Sequence, residues 1–292
     1  MDWRVLKGVS RSFYLTLRLL PEPVREPIAL AYLLARATDT IADVGTLPVE
    51  VRVSALEAML GEKWSCVHAE TIAAACDGEA DRRLIEGLAT ALEELSVSPD
   101  ADLIRRVWRT ICEGQLFDLV RFAEVGTPPL NAEERDRYTY LVAGCVGEFW
   151  TDICLRKFGD LSDRPAGELR EDGVRYGKAL QLVNILRDRS ADRAIGRVYV
   201  GDGETAGVVA ETFAYLEAAG RFVASLKHGS LRYATALPAL LAGPTLREIV
   251  RRPEAPRVRI SRSAVYGIVA SSFPILFSRR WTTEAMSRAV RR

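Results

Sequence analysis

Four polar side chains able to hold a cation recur at helical spacing in the stretch GKALQLVNILRDRSADRAIGRVYV, from Gly177 to Val200. At roughly 100° per residue, Gln181, Asn184, Asp188 and Asp192 fall inside about 80° of arc on one helix face, while Leu180, Val183, Leu186 and Ala191 turn mostly elsewhere. A second stretch, AYLLARATDTIADV, sets Tyr32, Arg36, Asp39 and Asp43 inside about 60° of arc. Asp at i and i+4 places two hard oxygen donors one turn apart. That suits Mg²⁺, which takes few carboxylates and fills the rest of its shell with water and phosphate. Arg36 and Arg187, beside the carboxylates, offer planar donor forks for phosphate oxygens. Either stretch alone is more often solvated surface charge. Two of them, each embedded in leucine and alanine and each with an arginine, read as an acid–metal–diphosphate–arginine site.

The elements that must position these residues are helices. The periodicity predicts a first acidic helix over about Glu26–Asp43, after the punctuation of Pro21, Pro23 and Pro27, closed by Gly45 and Pro48. Further helical patterns cover Pro48–Ala75, Leu84–Leu95 and Ala101–Val120, the last holding Glu113, Gln115 and Asp118 as hydrogen-bonders in a core or cavity. Asn131 is a candidate N-cap for the helix RDRYTYLVAGCVGEFWTDICLRKF, inside which Gly144 and Gly147 imply a close approach by a neighbouring helix or a substrate. Ser10, Arg11 and Ser12 suit a helix cap or a phosphate contact, with capping the commoner use. The connector GDGETAG lacks the spacing and surrounding strand of a nucleotide loop and reads as a turn. Helical patterns then cover Val208–Leu226, Leu231–Ala242, Thr245–Val250 and Ser263–Phe273. Nothing alternates with period two for long, so the expectation is all-α, one bundle over residues 1–292.

Composition excludes several classes. Nearly half of the 292 residues are apolar, enough for a large core, and a net charge of +1 gives no global field for nucleic acid. His68 and His228 lie far from the acidic stretches and from each other, which leaves little room for a histidine triad or an imidazole-built zinc site. Five cysteines, an odd number without a CxxC pair or a signal peptide, argue for reduced thiols in a cytosol. No apolar run reaches the roughly 18 to 20 residues that span a bilayer. The longest, Ala264–Phe277, reads as a core helix ending at a proline. Peripheral contact at the inner face of a membrane stays open, since it needs no anchor.

With both acidic helices in hand, the chain resembles the squalene and phytoene synthase family of head-to-head prenyl synthases over nearly its whole length. The matching pieces are VSRSF at Val9–Phe13, YLLARATDTIAD at Tyr32–Asp43, YTYLVAGCVG at Tyr138–Gly147, and QLVNILRDRSAD with GRVY up to Tyr199. The resemblance implies an isoprenoid-synthase helical bundle with a central cavity, in which two aspartate helices face each other and hold Mg²⁺. By motif position it makes Asp39, Asp43, Asn184, Asp188 and Asp192 metal-side residues. Ser10, Arg11, Ser12, Phe13, Tyr32, Arg36, Tyr138, Gln181, Arg187 and Arg197 would serve the prenyl diphosphates and their pocket. Two farnesyl diphosphates would condense through presqualene diphosphate to squalene, with hydride from NADPH bound near Arg257 and Arg259. The neighbouring alternative makes phytoene or dehydrosqualene without NADPH. A non-catalytic helical assembly partner is argued against by the four intact aspartates. Two departures stand out: Leu141 occupies the place where many squalene synthases carry a tyrosine, with Tyr140 or Tyr138 as the nearest substitutes, and Gly201 replaces a proline after GRVY.

Overall fold

The computed structural model describes residues 3–10, 13–61, 63–124, 126–252, 255, 258 and 260–290, the side chains of Trp3, Phe13 and Leu15 excepted. Among these, helices and turns account for all regular structure, and no strand occurs. The chain divides into two compact units, residues 1–18 with 22–123, and residues 19–21 with 124–292.

The first unit holds α1 (Trp3–Ser10), α2 (Phe13–Leu19), α3 (Glu22–Asp43), α4 (Val49–Leu60), α5 (Cys66–Ala75), α6 (Glu79–Glu86), α7 (Leu88–Val97) and α8 (Ala101–Arg121). Helix α3 is its axis. It packs on α4, α6, α7 and α8 through a face rich in alanine and leucine, with Leu34 and Ile41 fully buried. The helix starts earlier than its prolines suggest, because Pro23 sits in the first turn, where its missing N–H costs nothing, and Pro27 forfeits only one further bond. The long pattern Pro48–Ala75 is two helices, and Leu84–Leu95 is split at Gly87 between α6 and α7.

The second unit holds α9 (Ala132–Thr139), α10 (Cys145–Lys157), α11 (Ala166–Ala194), α12 (Thr205–Ser225), α13 (Gly229–Arg251), α14 (Arg262–Ser271) and α15 (Arg279–Val290). Asn131 does cap α9: its side chain accepts from the Glu134 N–H at 2.9 Å while the Glu134 carboxylate accepts from the Asn131 N–H at 3.0 Å. The expected single helix after it is interrupted by a π turn at Tyr140–Gly144. The glycines there and in α11 are explained by backbone contact between helices: a Cβ on Gly147 would strike the Gly173 carbonyl, and one on Gly177 the Ala143 carbonyl.

Helix α13 runs unbroken through Pro238 and Pro244, where two shorter helices were expected. The buried Tyr176 hydroxyl enters its ladder, donating to the Thr235 carbonyl at 2.6 Å and accepting from the Ala239 N–H at 3.0 Å, so the groups beside Pro238 stay satisfied. The expected core helix at Ala264–Phe277 is overturned. Helix α14 stops at Ser271, a short 3₁₀ turn Phe273–Leu276 follows, and no residue of α14 is buried. All five cysteines are free, and burial pushes the Cys112, Cys145 and Cys154 thiols up, so these three are inert core residues.

Candidate functional site

In the first unit, α3 carries Arg36, Asp39 and Asp43 at its C-terminal end. The Gln115 amide, from α8, donates to the Asp39 carboxylate at 2.6 Å. Burial pushes Asp39 up to about 7; Arg36 opposes the shift, Asp43 one turn on adds to it, and the Gln115 bond opposes it without prevailing. The protein alone therefore leaves this carboxylate short of positive charge. Arg36 is partly engaged elsewhere: its guanidinium donates to Asp81 at 3.0 Å, where the Thr40 hydroxyl also reaches the same oxygen at 3.4 Å. Its Nε is buried with no hydrogen-bond partner. Arg36, Thr40, Asp43, Asp77 and Asp81 line a pocket of about 120 Å³. Ser10 is buried and donates to the Leu6 carbonyl at 2.5 Å, so its hydroxyl is spent within its own helix rather than at a cap. The Tyr32 hydroxyl reaches the Val9 carbonyl at 3.5 Å. Arg11, Ser12, the Phe13 side chain, Arg257 and Arg259 lie outside the described residues.

In the second unit, α11 bears the other ladder. The expected helix covers Gln181, Asn184, Asp188 and Asp192, and the Asn184 amide reaches the Gln181 side-chain oxygen at 3.5 Å, one turn away. Arg187 forks onto Asp188, with Nε at 3.1 Å from one carboxylate oxygen and Nη2 at 2.5 Å from the other. The Asp192 carbonyl accepts from the Arg197 N–H at 2.9 Å, closing α11, and Gly196 turns the chain at φ +84°, a conformation glycine adopts without strain. Tyr138, buried, stacks on Tyr199 at 5.1 Å. Tyr140 opens the π turn; its hydroxyl donates to Glu148 at 2.8 Å, and the Lys178 ammonium lies 6.0 Å from its ring centre. Leu141 is buried. Lys178 in turn donates to Asp136 at 2.6 Å.

Two residues escaped the motif reading. Gln115 was legible as a polar group in an apolar helix but not as the partner of Asp39. Asp81 carried no signal, since its link to Arg36 spans 45 residues on a different helix. Among the described residues no three acidic, histidine or cysteine side chains converge into a metal cage. The donor chemistry of each ladder nonetheless fits Mg²⁺, because its carboxylate and amide oxygens leave coordination for water and phosphate, and Arg36 does not offset the desolvation of Asp39.

Fold and ladders together define an all-α protein built to offer carboxylates and arginines from two helices. The chain belongs to the squalene/phytoene synthase family, whose model matches residues 6–204. It is 33% identical over 193 residues to the presqualene diphosphate synthase of Rhodopseudomonas palustris, covering 66% of this chain and 59% of that protein. It is 31% identical over 201 residues to the bifunctional lycopene cyclase/phytoene synthase of Phaeosphaeria nodorum, covering 67% and 32%. The chain thus spans about a third to three fifths of the length of these relatives. A solved complex of TcSQS with the ligand E5700 superposes with a TM-score of 0.74 at 22% identity, covering 99% of this chain and 94% of that one, a likeness of fold.

Proposed function

We propose that the protein condenses two farnesyl diphosphates head to head, in a Mg²⁺-dependent reaction through presqualene diphosphate to squalene, with NADPH as reductant. The observation that carries this reading is Asp39, a half-buried carboxyl raised to about 7 beside Asp43 and Arg36, which is the electrostatic state expected of a cation ligand. Asp39 and Asp43, and in the other ladder Asn184, Asp188 and Asp192, would hold Mg²⁺; bound there, it supplies Lewis-acid stabilisation to the departing diphosphate. Arg36 and Arg187 bind the diphosphate oxygens by leaving Asp81 and Asp188, an exchange of one anion for another that keeps each guanidinium paired. Gln181 orients Asn184 from one turn away. Tyr140, polarised by Glu148 and by the nearby Lys178 charge, is the hydroxyl we assign to proton handling in place of Leu141.

The similarity to a presqualene diphosphate synthase supports a second reading, in which the reaction stops at the cyclopropyl diphosphate; release of dehydrosqualene or phytoene without NADPH is its neighbour. Incubation of the protein with farnesyl diphosphate and Mg²⁺, with and without NADPH, separates these by the mass of the product. Squalene formed only with NADPH is the expected result. Presqualene diphosphate or dehydrosqualene regardless of NADPH selects the reductant-independent branch. Failure to consume either farnesyl or geranylgeranyl diphosphate overturns the enzymatic reading.

A further inference from the structure

The α14 region exposes what a globular protein ordinarily covers. Tyr266 is 71% exposed, Phe273 55%, Phe277 78% and Trp281 46%, while Val265, Ile268 and Val269 are only partly covered. These rings are not scattered. Phe273 meets Tyr233 of α13 edge-on at 6.3 Å and Phe277 at 5.7 Å, so the patch is continuous across the turn.

The turn is also held rigidly. Arg232 is buried, and its guanidinium donates to the carbonyls of Ile275 at 3.0 Å, Leu276 at 3.3 Å, Leu226 at 2.8 Å and Lys227 at 3.1 Å. Gly229 lets the Leu276 carbonyl approach its Cα closely enough to exclude a side chain. A buried arginine bonded to four carbonyls fixes the loop that presents Phe273 and Phe277, so their exposure is a feature of the folded state.

The charge around the patch is predominantly positive. Among the described residues, α14 and α15 carry four arginines, Arg262, Arg279, Arg280 and Arg288, against a single acid, Glu284, in a chain whose total charge is +1. Arg262 and Arg280 are exposed beside the rings, and the Arg288 guanidinium sits 5.8 Å from the Trp281 ring centre. Arg280 reaches Glu284 at 3.3 Å, and Asp163 is shared by Arg279 and Lys227, so local acids neutralise only part of the excess.

From these observations we infer that the face formed by α14, the Phe273–Leu276 turn and the start of α15 docks on an anionic lipid bilayer. Tyrosine and tryptophan favour the boundary between headgroups and acyl chains, and arginines attract anionic headgroups; together they supply the two signals that peripheral binding needs. A second copy of the chain suits the face poorly, since self-association would oppose arginines to arginines. None of the described helices is long and apolar enough to cross a membrane, so the contact is interfacial.

The test is co-sedimentation of the full chain with phosphatidylcholine vesicles, with and without phosphatidylglycerol, in the absence of substrate, so that it stands or falls separately from the enzymatic reading. Expected are binding at least about tenfold tighter with phosphatidylglycerol and a marked loss in high salt. Arg262→Gln with Arg280→Gln should weaken binding about 25-fold, at about fivefold per arginine. Phe277→Ser with Tyr266→Ser should weaken it about tenfold or more. All four positions are on the surface, and circular dichroism with thermal melting checks that the fold persists. Equal sedimentation with both vesicle types, or binding unmoved by both double variants, overturns the inference. So does a dimer that Phe277→Ser with Tyr266→Ser dissolves in a protein that ignores vesicles.

Discussion

Asp39 concentrates the chemistry at the scale of single residues. Its carboxyl is half-buried, stands one turn from a second carboxyl and is held by one amide, and desolvation holds its proton up to about pH 7. Replacing Asp39 or Asp188 by Asn should abolish turnover while far-UV circular dichroism stays native; full activity in either variant would sink the metal assignment. Gln115→Leu removes a bond that favours the charged form of Asp39, so Asp39 rises further and the acidic limb of the kcat/KM profile should move to higher pH, with the alkaline plateau less affected. The metal-free protein gives the same group a second readout. A carboxyl near 3.8 unfolded and about 7 folded binds more protons in the native state between those values, so stability should fall as pH rises through that window, and Asp39→Asn should flatten the slope. The acidic residues were legible from spacing because helical periodicity projects i and i+4 onto one face. Gln115 and Asp81 were not, because tertiary packing brings them to Asp39 and Arg36, and a single sequence records no such pairing.

Among the elements, α11 shows how helix packing places a ladder. Gly147 and Gly173 let α10 and α11 meet backbone to backbone, and Gly177 admits the Ala143 carbonyl of the π turn one helical turn before Gln181. Gly177→Ala has nowhere to put its methyl except against backbone. It should destabilise by about 3 kcal/mol in urea unfolding and should lower turnover even where the fold persists, since the helix bearing Gln181 and Asn184 must shift. Earlier in α11, buried Asp172 accepts from Arg164 at 2.8 Å and from Arg221 at 2.7 Å, tying the helix to the preceding loop and to α12. Burial alone would raise this carboxyl; the two arginines overcome that and hold it below the ordinary range. Its stabilisation is therefore present above the unfolded value and lost as pH falls through the lower folded value. Asp172→Asn should cost about 3 kcal/mol at neutral pH, with the deficit closing in acid. The glycine signals at Gly144 and Gly147 were readable as close approach, and the structure identifies the visitor as a helix. Periodicity failed at Ala264–Phe277 for a plain reason: an apolar face signals burial only if something covers it, and within the described chain the cover over α14 is only partial.

The whole molecule hides a polarity behind its near-zero charge. Residues 257–292 carry +7, so the preceding 256 carry −6, and the residues of both aspartate ladders fall within that acidic stretch of sequence. Net charge was readable from composition, but its division becomes meaningful only once Arg262, Arg280 and Arg288 are seen to flank exposed rings. In the proposed reaction a prenyl diphosphate would meet carboxylates that repel it, and Arg36 and Arg187 are already engaged with Asp81 and Asp188. Neither partner would be well served alone: a cation would have to displace the proton of Asp39, and a diphosphate would have to compete with aspartates for the arginines. Together they would satisfy each other, the cation offsetting the charge of the diphosphate and the diphosphate offering oxygen ligands to the cation. Thermal stabilisation should accordingly be more than additive. Mg²⁺ alone and a non-hydrolysable farnesyl diphosphate analogue alone, the latter in EDTA, should each shift the melting temperature little, and both at the same concentrations should shift it well beyond the sum. An analogue that stabilises equally in EDTA would mean that the arginines hold the diphosphate unaided and that the aspartate ladders serve another purpose.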